Sequence, residues 1–172
     1  IKVGNSLISD KSIDKMAFDW ELGFPEIFPD EKGKRKENLG FDLVLGNPPY
    51  AKEMNNSEKF RPMKQSAYKI YCQGKMDYWH FFIHRAIDLL RNGGRLGLIT
   101  NTYWKKSSGA SKLKKRIKEE LILTKCVDFG KIKVFEGVSD KHMLHFYRKG
   151  ESNSDDTTEY IPLNKEDFHG EI

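Results

Sequence analysis

Cysteine is almost missing from this 172-residue chain: Cys72 and Cys126 stand far apart and outside any C-x-x-C spacing. That excludes a disulfide framework and a cysteine-based zinc site, and it fits a reducing, cytoplasmic setting. Long apolar runs are also lacking. A stretch such as 96–99 is far too short to span a bilayer, no signal-peptide pattern opens the chain, and no membrane partner is expected. Internal repeats and low-complexity tracts are absent. The glycines before residue 47 (Gly4, Gly23, Gly33, Gly40 and Gly46) occur singly and form no G-x-G pattern. The first residue is Ile1 rather than methionine, and it opens on a strand-like run, 1–3; the chain is read as a piece of a longer protein.

What remains is a globular composition. Hydrophobic residues make up 38% and aromatics 12%, enough for a core, and 30 Lys and Arg against 25 Asp and Glu leave a net charge of +5. That balance permits a polyanionic partner without demanding one. Short apolar runs alternate with helical stretches. Residues 41–45 (FDLVL) form a compact β-type run ended by Gly46 and two prolines. Trp79, Phe82, Ile83, Ala86, Leu89 and Leu90 recur at helical spacing, predicting a helix over 77–91 with Asp77 as N-cap and Gly93–Gly94 as its stop. Strands are expected at 96–100, 123–129 and 142–147, and an amphipathic helix runs through Ala110, Leu113, Ile117 and Leu121. After Gly150 the composition turns polar (ESNSDDTTE), so 150–172 reads as a linker with a short apolar run at 160–163. The rhythm is that of an open α/β sheet, which places ligands beyond the carboxyl ends of its strands.

One tetrapeptide stands at such an end: Asn47-Pro48-Pro49-Tyr50. Each proline fixes its own φ and keeps its predecessor out of the helical region, so Asn47 and Pro48 are held extended. The prolines also lack N–H groups, so this corner offers acceptors without competing donors. The Asn47 amide oxygen and the Pro48 carbonyl can converge on one –NH₂ group and take both its hydrogens, while Tyr50 supplies a flat face. Asn-Pro is also a common turn opener, and Pro-Pro marks loops. The strand before it and the aromatic in fourth position favour a receptor for a planar amine.

FDLVLGNPPY resembles the target-amine motif of the DNA adenine-N6 methyltransferases, in the variant whose target-recognition domain follows the catalytic one. The resemblance covers 1–149. VGNSL (3–7) is similar to a segment near the cofactor adenine, and FDWELGFPEIF (18–28) to the stretch preceding the target motif in fused restriction–modification enzymes of types IIG and IIS. Residues 77–90, GGRLGLITNTYW (93–104) and 134–149 match the blocks that follow, in order. The resemblance implies a partial Rossmann-like, class I S-adenosylmethionine-dependent methyltransferase sheet with flanking helices. It implies double-stranded DNA as partner, a flipped adenine held by Asn47, Pro48, Pro49 and Tyr50, and Phe135 (in VFEGVSD) closing on the base from its other side. Phe135 reads equally as a core residue of a strand. Asn5 stands where relatives carry Asp toward the adenosine amine, and Asp77 lies on the cofactor side of the pocket or simply caps a helix. The glycine-rich cofactor turn is missing, so weak or absent cofactor binding by this piece is expected, as is an uncovered 41–45 edge inviting dimerisation.

Other signals are weaker. The loop 51–75, with Lys52, Lys59, Arg61 and Lys64, reads as a DNA-facing lid; Lys105 and Lys106 open a basic run continuing through Lys112, Lys114, Lys115, Arg116 and Lys118. That run is either a phosphate-contacting face or a solvated helix face. His80 and His84, four apart, lack a third ligand, so no metal is expected. Pro29-Asp30-Glu31-Lys32 only superficially matches a nuclease signature. Two other readings stay open: a methyltransferase for a protein glutamine or an RNA guanine, and an inactive DNA-binding module.

Overall fold

The computed structural model describes residues 1–28, 38–136 and 141–164. Five strands build one mixed sheet: β1 (Phe41–Gly46), β2 (Leu90–Asn101), β3 (Leu121–Asp128), β4 (His142–Lys149) and β5 (Glu159–Pro162), in the spatial order β1-β2-β4-β3-β5. β1 runs parallel to β2, β4 lies antiparallel between β2 and β3, and β5 runs parallel to β3. The α-helices among the described residues are α1 (Trp20–Gly23), α2 (Ser57–Gln65), α3 (Trp79–Leu89) and α4 (Ser111–Glu120), joined by short 3₁₀ turns.

Strand alternation divides the sheet into unlike faces. Leu96, Leu98, Leu121 and Tyr147 pack against Trp79, Ile83, Ala86 and Ile87 of α3 and Leu113 of α4. The registers Leu45↔Gly97, Gly97↔Phe146 and Val127↔Leu144 place those residues on the opposite face. There Leu43 and Leu45 are 54% and 66% exposed. α3 is apolar on a second side as well: Phe81 joins Leu7, Ile8, Phe60, Met63, Tyr68 and Met76 in a separate core. A helix buried on both sides explains its nearly unbroken WHFFIHRAI sequence.

The structure corrects several expectations. The segment 51–75, read as a loop, contains α2. Residues 1–3 form no strand; Asn5 accepts a hydrogen bond from the Leu7 N–H (3.0 Å) in an Asx turn that ends the extended run, and it forms an isolated bridge to Ala17. Asp77 is not the cap of α3: the helix begins at Trp79 after Tyr78, because Asp77 is taken up in an antiparallel bridge with Lys52. Gly93 and Gly94 do not stop α3 either. The helix ends at Leu89, and both glycines lie within β2, where its register against β1 jumps from Phe41↔Leu90 to Leu43↔Arg95. Gly93 takes φ +76° in this bulge, which brings Arg91 within 2.6 Å of Asp42.

The basic run on α4 keeps a solvated side at Lys115 and Lys118, while Lys112, Lys114 and Arg116 are engaged within the protein. Lys112 Nζ donates to the carbonyls of Ile70 and Cys72, and Lys114 Nζ to those of Lys105 and Ser107. Arg116 grips Asp88 and Glu120 while lying over the Tyr71 ring. These side chains tie the loops around α4 to α3. Lys149 Nζ likewise donates to the carbonyls of Ile87 and Leu90 at the end of α3 (2.6 and 2.8 Å).

Gly109, just before α4, lies so close to the Lys75 carbonyl that an added Cβ would overlap its oxygen, and the obstacle is backbone, with the Gly74 carbonyl beside it. Gly109→Ala is therefore expected to lower stability by about 2 kcal/mol, the scale of an overpacked site, read as a shifted midpoint in urea unfolding.

Candidate active site

The last pair of the β1–β2 ladder is Gly46↔Leu98, and the diproline corner follows at once. Asn47 and Pro49 are exposed, Pro48 is buried and Tyr50 is half-buried. The chain leaving the corner is pinned: Tyr78 N donates to the Ala51 carbonyl (2.8 Å) and Glu53 N to that of Met76 (2.9 Å), on either side of the Lys52–Asp77 bridge. The strand before it, with two prolines and a backbone clamp after it, leaves Asn47 on a rigid mount at the carboxyl end of a strand.

Tyr50 is held by its own hydroxyl, which donates to the Ile99 carbonyl in β2 (3.1 Å). Its ring centroid is 6.5 Å from that of Phe135, with the planes tilted by 50°. His142, buried at the start of β4, packs edge-on against both, 5.3 Å from Tyr50 and 5.1 Å from Phe135. Phe135 lies in a half-buried irregular segment rather than in a strand. A planar base between two rings needs about 7 Å between their centroids, from two carbon–carbon contacts of roughly 3.5 Å. The gap falls just short of that. His142 escaped sequence reading: it opens an apolar strand and carries no motif of its own.

Behind this end of the sheet runs a buried chain of hydrogen bonds. Thr100 Oγ1 donates to the Asn101 carbonyl (3.2 Å) and stands 2.8 Å from His145 Nε2; His145 Nδ1 stands 2.8 Å from the Tyr147 hydroxyl. One tautomer satisfies every atom: Tyr147 O–H donates to Nδ1, and Nε2–H donates to Thr100. Burial pushes the His145 pKa down to about 3, so the ring is neutral and fits that pattern. Trp104 stacks on it at 5.8 Å.

Histidines 80 and 84, the other buried pair, are also neutral near pH 7, each lowered to about 3, chiefly by burial. His84 stacks on Tyr71 at 3.7 Å. Among the described residues no group of three metal-ligating side chains occurs. The 29–32 tetrapeptide lies outside the described residues. Cys72 and Cys126 are both free thiols.

The remaining candidate residues are dispersed. Asn5 gives one amide hydrogen to Asp14 (2.7 Å) and one lone pair of its oxygen to the Leu7 N–H (3.0 Å), bonds that hold its side chain in place within the 5–17 turn. Asp77 is buried, with its carboxylate 4.0 Å from His80 Nε2. Lys59, Arg61 and Lys64 are exposed on α2, Lys64 paired with Glu53 at 2.9 Å. Lys52 lies over the Tyr103 ring, and Lys105 is 3.8 Å from Asp128.

Known structures share this arrangement of strands and helices. A Listeria monocytogenes protein assigned to the class I S-adenosylmethionine-dependent methyltransferases superposes with a TM-score of 0.52 at 16% identity, over 77% of this chain and 38% of that one. A structure from a type I restriction–modification system does so with a TM-score of 0.52 at 18% identity, over 76% and 25%. The fold is that of the class I methyltransferases. Residues 2–135 match the Eco57I restriction-modification methylase family, and the chain belongs to it. The type II methyltransferase M.HincII of Haemophilus influenzae is 34% identical over 114 residues, which cover 65% of this chain and 23% of that protein. The type II restriction enzyme and methyltransferase RM.Eco57I of Escherichia coli is 32% identical over 119 residues, 65% of this chain and 11% of that protein. The chain thus spans less than a quarter of the length of these relatives.

Proposed function

We infer that this chain supplies the amine-receiving part of a DNA adenine-N6 methyltransferase in a restriction–modification enzyme. The observation that supports this best is the rigid Asn47-Pro48-Pro49-Tyr50 corner at a strand's carboxyl end, with the Tyr50 ring anchored to β2 and faced by Phe135. An adenine amine is a poor nucleophile, because its lone pair is delocalised into the ring. Acceptors at Asn47 and Pro48 draw both of its hydrogens and favour a pyramidal nitrogen whose lone pair is free to attack. That is positioning and preorganised electrostatics, with no strong base required. The base leaves the duplex at a few kcal/mol of unstacking and gains Tyr50 on one side. Phe135 must swing slightly to admit it on the other. S-adenosylmethionine supplies an activated methyl group when bound; the residues of this chain act on the base instead.

The exposed cations of 51–75 (Lys52, Lys59, Arg61, Lys64), with Lys105 and Lys106, contact the DNA backbone in this reading. The test is product analysis. Duplex DNA methylated by a protein carrying this sequence, digested to nucleosides and resolved by mass spectrometry, is expected to yield N6-methyladenine. Methylated cytosine as the product, or methyl transfer only to RNA or to a protein glutamine, would replace the adenine reading.

A further inference from the structure

Next to the candidate active site a cleft of ≈ 640 Å³ opens across the ends of four strands. Its walls include Tyr103, Lys105 and Lys106 from the loop after β2, Asp128 ending β3, Lys141 before β4 and Tyr160 of β5. Three ammonium groups face one carboxylate, and that carboxylate is already engaged. Asp128 accepts from the Gly130 N–H (2.9 Å) and from the Tyr160 hydroxyl (3.0 Å), and it lies 3.8 Å from Lys105. The cleft is therefore cationic, while Asp128 serves as its internal brace.

Two rings flank it. Tyr103 and Tyr160 are 51% and 55% exposed, unusual for aromatics beside a well-packed sheet. Each carries an ammonium near its face, Lys52 at 5.6 Å and Lys105 at 6.0 Å. Cations lining a groove with open aromatic faces are the composition that binds single-stranded nucleic acid, where phosphates meet the charges and bases stack on the rings. A closed duplex offers the phosphates but hides its base faces, and would leave both rings without partners. The cleft also adjoins the base site through the chain. Thr102 N donates to the Lys141 carbonyl (3.0 Å) and Phe129 N to that of His142 (3.1 Å), so the residue next to Lys141 is the histidine on which Tyr50 and Phe135 rest.

We propose that this cleft, between Tyr103 and Tyr160, binds a short unpaired stretch of DNA, the nucleotides next to the extruded base. The identity of that strand rests on the function proposed above; the binding itself does not. It is tested with the 172-residue chain and a fluorescein-labelled oligothymidylate, with anisotropy followed across a salt series. Lys106→Gln and Lys141→Gln are each expected to reduce the slope of log K against log[salt] by about 0.7, one phosphate contact on a single strand. Lys118→Gln, on the exposed side of α4, should leave it unchanged. Tyr103→Ala and Tyr160→Ala should each weaken oligothymidylate binding roughly tenfold while duplex binding stays within twofold. Circular dichroism of every variant separates these effects from unfolding. An unchanged slope in both lysine variants overturns the proposal. So does equal loss of duplex binding in the tyrosine variants, or preference for an RNA of matching sequence. Asn47 plays no part in this assay, so a catalytic failure with these binding responses intact would count against the methyltransferase reading alone.

Discussion

Asn47→Ala, in a methylation-competent protein carrying this sequence, is expected to lower kcat/KM for methyl transfer to adenine at least a hundredfold, with duplex affinity within a few fold of the original. The magnitude is that of losing one preorganised polar group aimed at a reacting centre, roughly 3 kcal/mol. The split between rate and affinity follows from where Asn47 sits. It is one exposed side chain on a mount fixed by Pro48, Pro49 and the 51–53/76–78 clamp, so the substitution removes an acceptor without moving the corner. Tyr50→Phe supplies the internal comparison: it keeps the stacking face and loses only the anchor on the Ile99 carbonyl, a smaller effect of about 1 kcal/mol. Tritiated-methyl incorporation into a duplex reads both variants. Full incorporation by the Asn47 variant would remove this corner from the chemistry.

Acid should unfold the protein steeply. His80, His84 and His145 are buried to 1% exposure or less, and each is held down to a pKa of about 3 from an ordinary 6.5. Burial is the main cause; the Arg116 guanidinium adds to it at His84 and the Lys105 ammonium at His145. Between pH 6.5 and 3 the unfolded chain binds protons that the folded chain refuses. Stability is therefore intact above pH 6.5 and falls as the pH drops through that window. Each histidine contributes up to about 1.4 kcal/mol per pH unit, so the three together approach ~4 kcal/mol per unit. Urea midpoints at half-unit steps from pH 7.5 to 4.5 measure the slope. His84→Phe, which keeps a ring against Tyr71, should make it shallower by about a third. A stability flat across this range would mean that the rings are charged, or wetted, in the native state.

α3, α4 and strands β1 to β4 were legible in the sequence, because their apolar residues repeat at helical or strand spacing over whole elements; α1, α2 (inside the segment 51–75 read as a loop) and β5 (inside the segment read as a linker) were not. The diproline corner was legible for a different reason: proline dictates backbone geometry locally, whatever surrounds it. Errors fell where a long-range pairing overruled a local preference. Asp77 is a good cap by type, but backbone pairing with Lys52 claims it. Gly93 and Gly94 are good helix stops by type, yet α3 ends earlier and β2 uses them for a bulge against β1. The lysines of α4 read as a phosphate-contacting or a solvated face because a sequence shows charge and hides carbonyls; Lys115 and Lys118 are exposed, but Lys112 and Lys114 found loop oxygens. His142 and the Thr100–His145–Tyr147 chain had no signal at all, since their meaning depends on strand order.

That strand order also governs how the protein is made. β1 leaves the ribosome roughly fifty residues before β2, the strand it pairs with among the described residues. At 5–20 residues per second it waits about 3 to 10 seconds with Leu43, Val44 and Leu45 unpartnered. The rings that meet Phe41 in the native fold (Trp20, Phe24 and Phe28) are synthesised earlier and are on hand throughout. An aromatic shelter translated ahead of the strand it protects would shorten the interval in which the nascent chain depends on chaperones.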